Sequence, residues 1–265
     1  MNSLAMTVAD GLTITRRNLI KVKRVPDLIV FATLSPIMFV LLFRFVFGGA
    51  ITVPGDVSYA EFLLPGIFAQ TVVFGSTITG SSLADDLQKG LIDRFRSLPI
   101  AHSAVLVGRT VADLGLNALS IVVMAVTGLL VGWRIHTSAL EAAGGFLVLL
   151  GFAYAMSWLM AQVGLMVRTP EVVNNASFIV IFPITFVANT FVPLETFPPV
   201  LRTFAEWNPV SAVVQSARNL FGNSFGAPDV WSLQHPVLYS SLWGVAILAI
   251  FVPLAGRTYR NTASR

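Results

Sequence analysis

No cysteine occurs in this chain, so disulfides, thiolate nucleophiles and cysteine-held metals are excluded. Charge is scarce as well. Asp, Glu, Lys and Arg make up 11% of the 265 residues, where a soluble domain carries about 25%. Lysine is nearly missing. Lys21, Lys23 and Lys89 follow Ile, Val and Gln, so there is no Gly-Lys pair and no phosphate-cradling P-loop. His102, His136 and His235 stand far apart at the ends of apolar runs, a layout of surface residues rather than metal ligands. Neither H-E-x-x-H nor G-x-S-x-G is present. The sequence thus offers no catalytic constellation, no metal site and no cofactor or ATP site of its own. If ATP drives it, the engine is another polypeptide.

What is abundant is apolar surface: 55% of residues are hydrophobic and mean hydropathy is +0.78. This composition predicts an all-α integral membrane protein. Six runs, at roughly 28–47, 62–83, 108–131, 142–165, 172–192 and 237–255, all qualify against the length of about 20 residues that a spanning helix needs. The first run lies behind 27 residues with two basic clusters and no small-residue cleavage site, so it reads as a retained span. The formal charge of +4 is no nucleic-acid signal, because the basic residues flank apolar runs.

Lys and Arg counts set the expected orientation. With the N-terminus inside, the inner segments hold 13 of the 17 basic residues and the outer ones 4: Arg44, Arg134, Arg202 and Arg218. Both termini are then cytoplasmic. Residues 7–25 form a basic amphipathic segment that either lies in the headgroup layer or only sets topology. In 84–100, Leu87, Leu91 and Phe95 continue a helical stripe from Leu83, with Asp85, Asp86, Lys89, Asp93, Arg94 and Arg96 opposite. It reads as a solvated loop helix or as a docking helix for a soluble partner.

The outer connection 193–235 is too apolar for a free loop. Pro198 to Trp207 predicts one short helix. Asn208 is a good N-cap with Pro209 at the first helical position, and Gly222 is a plausible stop. The pair is expected either as a re-entrant hairpin or as two helices lying flat. At the inner end of the third run, Arg109 and Asp113 are spaced to pair at i, i+4. Uncharged polar residues at mid-span include Gln70, Thr71, Asn117 and Asn189. They serve helix packing or touch a substrate. No proton relay and no inverted repeat is visible, which weakens an ion-coupled carrier or channel, the alternative reading.

Three stretches carry a resemblance. Leu87-Gln-Lys-Gly-Leu-Ile-Asp-Arg-Phe-Arg-Ser-Leu-Pro-Ile100, continuing to Gly108-Arg-Thr-Val-Ala-Asp113, resembles the cytoplasmic signature of type-2 ABC transporter permeases. Tyr59-Ala-Glu-Phe-Leu-Leu-Pro-Gly66 looks like that family's start of the second span, and Glu206-Trp-Asn-Pro-Val210 like its outer hairpin. The likeness is nearest to the daunorubicin-resistance-like exporter branch. It departs at Gln88 and at Gly90-Leu-Ile-Asp93, where that branch often carries Glu.

The resemblance implies a subunit of an exporter in a bacterial inner membrane, moving an amphipathic drug, lipid or glycolipid. It implies a second permease, identical or paralogous, and two cytoplasmic ATPase subunits that hold ATP and Mg. The 84–100 segment would be the coupling helix, with Asp86, Leu87, Gly90, Leu91, Asp93, Arg94, Phe95 and Pro99 as motor contacts. The 7–25 segment would be an in-plane elbow. Glu206, Trp207, Asn208 and Pro209 would form the outer gate.

Overall fold

The computed structural model describes residues 11, 14–15, 26–49, 51, 58–91, 102–167, 169–226 and 229–261. Among them the structure is helical, with no strand. In chain order, α1 is Pro26–Leu42, continued by a π-helical turn at Phe43–Phe47. Then come α2 Tyr59–Gly75, α3 Thr77–Gln88, α4 His102–Leu130, α5 Ala139–Met166 and α6 Pro170–Phe186. A 3-10 turn at Leu194–Thr196 leads to α7 Pro199–Trp207, α8 Pro209–Phe221, α9 Trp231–Gln234 and α10 Pro236–Asn261.

Four helical stretches are long and apolar enough to cross a membrane: Tyr59–Gln88, Ala104–Leu130, Ala139–Met166 and Pro236–Asn261. Leu34–Val46 and Pro170–Phe186 are shorter apolar helices. Leu130, Leu147 and Ile179 are among many large apolar side chains pointing outward. Such a coat is a liability in water and is what lipid requires.

Local sequence explains the helix ends. Ser58 and Glu61 form a capping box at α2, and Ser138 and Glu141 form another at α5. Thr169 caps α6, with Pro170 at its first position. α2 and α3 form one apolar stretch with a turn at Ser76, whose backbone N–H still bonds to the Val72 carbonyl at 3.2 Å. α3 ends at Gln88 because Gly90 takes φ +64°, a left-handed stop open to glycine. The expected helix at 84–100 is interrupted at Lys89-Gly90, and Leu91 is helical again. Ala84–Gln88 is the tail of α3, so the leucine stripe crosses a helix end at Lys89-Gly90. Residues 92–100 lie outside the described residues, as does the 7–25 segment apart from Gly11, Ile14 and Thr15.

α5 is the hub, packed against α10, α3, α8, α4 and α2. Its contact with α3 is backbone to backbone. A Cβ at Gly80 would stand 2.7 Å from the Met160 carbonyl, and one at Gly164 would collide with the Gly80 carbonyl. Two clusters mark the ends of the bundle. At one, Trp133 is buried against Phe68 and Phe221, edge to face at 5.3 and 5.4 Å. Its indole N–H donates to Asn223 Oδ1 at 2.7 Å, so this loop residue belongs to the core. At the other, Leu83, Leu106, Trp158, Leu165 and Tyr259 pack with Ile14. Thr15 Oγ1 donates to the Gly108 carbonyl at 3.2 Å, tying the N-terminal segment to α4.

Candidate functional site

A cavity of about 320 Å³ opens between α1, α2, α3, α4 and α6. Its walls carry five aromatic rings: Phe39, Phe74, Phe178, Phe182 and Phe186. Three of the mid-span polar residues expected from sequence, Gln70, Thr71 and Asn117, line it together with Ser35 and Ser120. Asn189 does not. It lies buried beside α8, where its amide donates to Gln215 Oε1 at 3.3 Å.

The rings form a ladder. Phe178, Phe182 and Phe186 recur at i, i+4 and i+8 on α6, with centroids 4.9 and 4.0 Å apart. Phe186 continues to Phe191 at 4.8 Å, and Phe191 stacks on Phe43 at 4.4 Å. This stripe is readable in the sequence as a Phe spacing of four.

Asp113 stands at the wall of the same cavity. Arg109 Nε donates to its Oδ2 at 3.0 Å, and both side chains are buried. Thr79 Oγ1 of α3 donates to the same oxygen at 2.7 Å, and Asn117 Nδ2 donates to the Asp113 carbonyl at 3.1 Å. The i, i+4 spacing predicts the pair. Thr79 is the part it cannot predict, because it comes from another helix. A Cβ at Gly75 would collide with the Asn117 amide, so the bend between α2 and α3 is fitted to the cavity floor.

The cytoplasmic-signature residues fall at the far end of α3. Asp86 is buried, a correction to its expected place on the solvated charged face. Leu87 and Leu91 are half-buried, and Leu87 packs on the Leu83 cluster. Exposed Lys89 pairs with Asp85 at 2.7 Å, and that hydrogen bond holds its pKa above the usual lysine value. Asp93, Arg94, Phe95 and Pro99 lie outside the described residues.

The 193–235 connection folds back into the bundle. α8 is buried along most of its length against α5, α10 and α2, so a flat surface helix is ruled out for it. Asn208 Oδ1 accepts from the Val210 N–H at 2.9 Å, and its Nδ2 donates to the Ile184 carbonyl of α6 at 2.7 Å. One residue therefore caps α8 and fastens it to a cavity wall. Pro209 opens α8, and Gly222 ends it at φ +73°. Glu206 pairs with Arg202 at 2.8 Å and its carbonyl accepts from Ser232. Trp207 is half exposed, edge-on to Tyr239 at 6.1 Å. These four residues lie together but not in the cavity, which they reach through Asn208 and α6.

Arg218 escaped the sequence reading, which counted it only as an outer positive charge. It is fully buried. The signal was present: it falls at i+4 from Val214 and i−3 from Phe221, inside the apolar stripe.

Residues 11–221 match the family model described as ABC-2 type transporter. The chain is 34% identical over 257 residues to the daunorubicin resistance ABC transporter permease protein DrrB1 of Streptomyces coeruleorubidus, covering 97% of this chain and 88% of that one. It is 25% identical over 255 residues to a probable doxorubicin resistance ABC transporter permease protein, DrrC, of Mycobacterium tuberculosis, covering 96% and 90%. It is also 23% identical over 248 residues to the putative transport permease ycf38 of Porphyra purpurea, covering 91% and 81%. The apolar helices, the absent P-loop and these matches place the chain in the ABC-2 type transporter family, as a transmembrane permease subunit without an ATP site of its own.

Proposed function

We propose that this chain is the membrane-spanning subunit of an ATP-driven exporter that moves an amphipathic drug, lipid or glycolipid outward. Two relatives named for daunorubicin and doxorubicin resistance support the drug class. In this reading α1 with its π-turn, α2–α3, α4, α5, α6 and α10 are six spans with both termini in the cytoplasm of a bacterial inner membrane. The excess of Lys and Arg on the inner segments supports that orientation. A second permease completes the pathway, and two ABC ATPases dock below at residues 84–100.

The observation that carries the reading is the cavity. Its rings suit the flat or apolar part of an amphiphile, and Gln70, Thr71 and Asn117 offer uncharged hydrogen bonds to the polar part. The Asp113–Arg109–Thr79 node joins its wall to α3, the helix that runs to the motor contacts. A push on the end of α3 therefore reaches the cavity through a hydrogen bond rather than through lipid. Transport by the assembled complex tests this. Gln70→Leu and Asn117→Leu should each raise the half-saturating substrate concentration while leaving assembly with the ATPase intact. Unchanged transport kinetics in both would remove the cavity from the pathway.

A further inference from the structure

The segment after α6 leaves the helix at Val187 within the apolar body of the protein. Carbonyls there have no helical partner, and in a membrane they must find one. Three consecutive carbonyls do. Arg218 Nη2 donates to Asn189 O at 2.7 Å and to Thr190 O at 3.3 Å. Tyr59 Oη donates to Phe191 O at 3.3 Å. Arg218 Nε also donates to the Phe62 carbonyl of α2 at 2.9 Å, and its guanidinium lies 3.6 Å over the Phe62 ring. Gly66 lets α2 come this close, since a Cβ there would stand 2.6 Å from Thr190 O. Among the described residues no carboxylate pairs with Arg218. A buried cation is retained at a cost, and here its hydrogen bonds go to main-chain oxygens of two separate segments.

Those segments flank the end of the aromatic ladder where Phe186 passes to Phe191 and Phe191 stacks on Phe43. We infer that Arg218 is the positioning residue of the outer gate: it latches the turn at 189–190 to α2 and α8, closes the ladder, and must release those carbonyls for substrate to leave. This rests on the exporter reading, which supplies the substrate and the direction.

The chain's lack of cysteine makes the test clean. Phe186→Cys places one thiol at the outer part of the cavity wall. The full complex in membranes is treated with a membrane-impermeant maleimide from the outer side, without ATP or substrate. Arg218→Gln should raise the labelling rate about tenfold, as expected for losing a charged hydrogen bond from a closed state. Arg218→Lys should fall between, since an ammonium cannot bridge the same carbonyls. Should Arg218→Gln fail to assemble, Tyr59→Phe removes only the hydroxyl and should still raise labelling. Unchanged labelling in the assembled variants overturns the latch. So does an equal rise at Ala161→Cys, a buried position in the opposite cluster, because that would report general loosening. Thr137→Cys in the α4–α5 loop must label from the same side in every variant. If it does not, the orientation has failed rather than the latch.

Discussion

Asp113 and Arg109 are two charges taken out of water, and each is tolerable only because of the other. Asp113→Ala should therefore destabilise the permease by about 3–5 kcal/mol, because it leaves a buried guanidinium alone. Replacing both, as Arg109→Met with Asp113→Leu, should recover most of that loss. Thermal unfolding of the purified protein in detergent reads both outcomes. Asn208 carries a smaller load. Asn208→Ala should cost about 1 kcal/mol for the cap, and it also frees the Ile184 carbonyl. Outer-face accessibility should rise with it, as impermeant labelling would show. The ion pair and this cap were legible in the sequence because both are local, set by spacings of four and two residues. Thr79, Tyr59 and the role of Arg218 were not, because their partners lie 34, 132 and up to 156 residues away.

Helix pairs carry the next set of consequences. α3 and α5 touch through Gly80 and Gly164 with no side chain between them. Gly164→Ala should thus cost about 1–3 kcal/mol by overpacking, whereas Gly151→Ala, which faces open space, should leave the melting temperature unchanged. The stop at Gly90 sharpens what the coupling segment can be. Its first part, Ala84–Gln88, belongs to the same helix as Thr79. Leu91→Ala with Phe95→Ala should uncouple ATP hydrolysis from transport while expression stays normal. ATPase and efflux assays on the same preparation test it, and wild-type coupling would refute the docking role. The 193–235 connection was readable down to the cap and the stop of α8 because Pro, Asn and Gly have fixed positional meanings. The break at Gly90 was hidden, because a leucine stripe at helical spacing continues across it. Where α8 goes was hidden as well, since its apolar stripe suits lipid or protein alike.

The described residues form a helical bundle that holds an aromatic cavity, with the Asp113–Arg109 node at its wall and a hydrogen-bonded turn at 189–191. Composition alone established the membrane class, and hydropathy located the helices. Two of the six expected spans are 17-residue helices, at the short limit for crossing. The first is lengthened by a π-turn that no periodicity announces. The cavity could not be read from sequence, because five elements build it and only its polar lining stood out. In the proposed function, energy enters through a separate ATPase. This is tested by efflux of a fluorescent amphiphile in proteoliposomes holding this chain, with and without the proposed ABC ATPase partner. Efflux that requires both the ATPase and ATP hydrolysis, and ignores an imposed proton or sodium gradient, is the expected result. Efflux by the permease alone under an ion gradient would contradict it and favour an ion-coupled carrier.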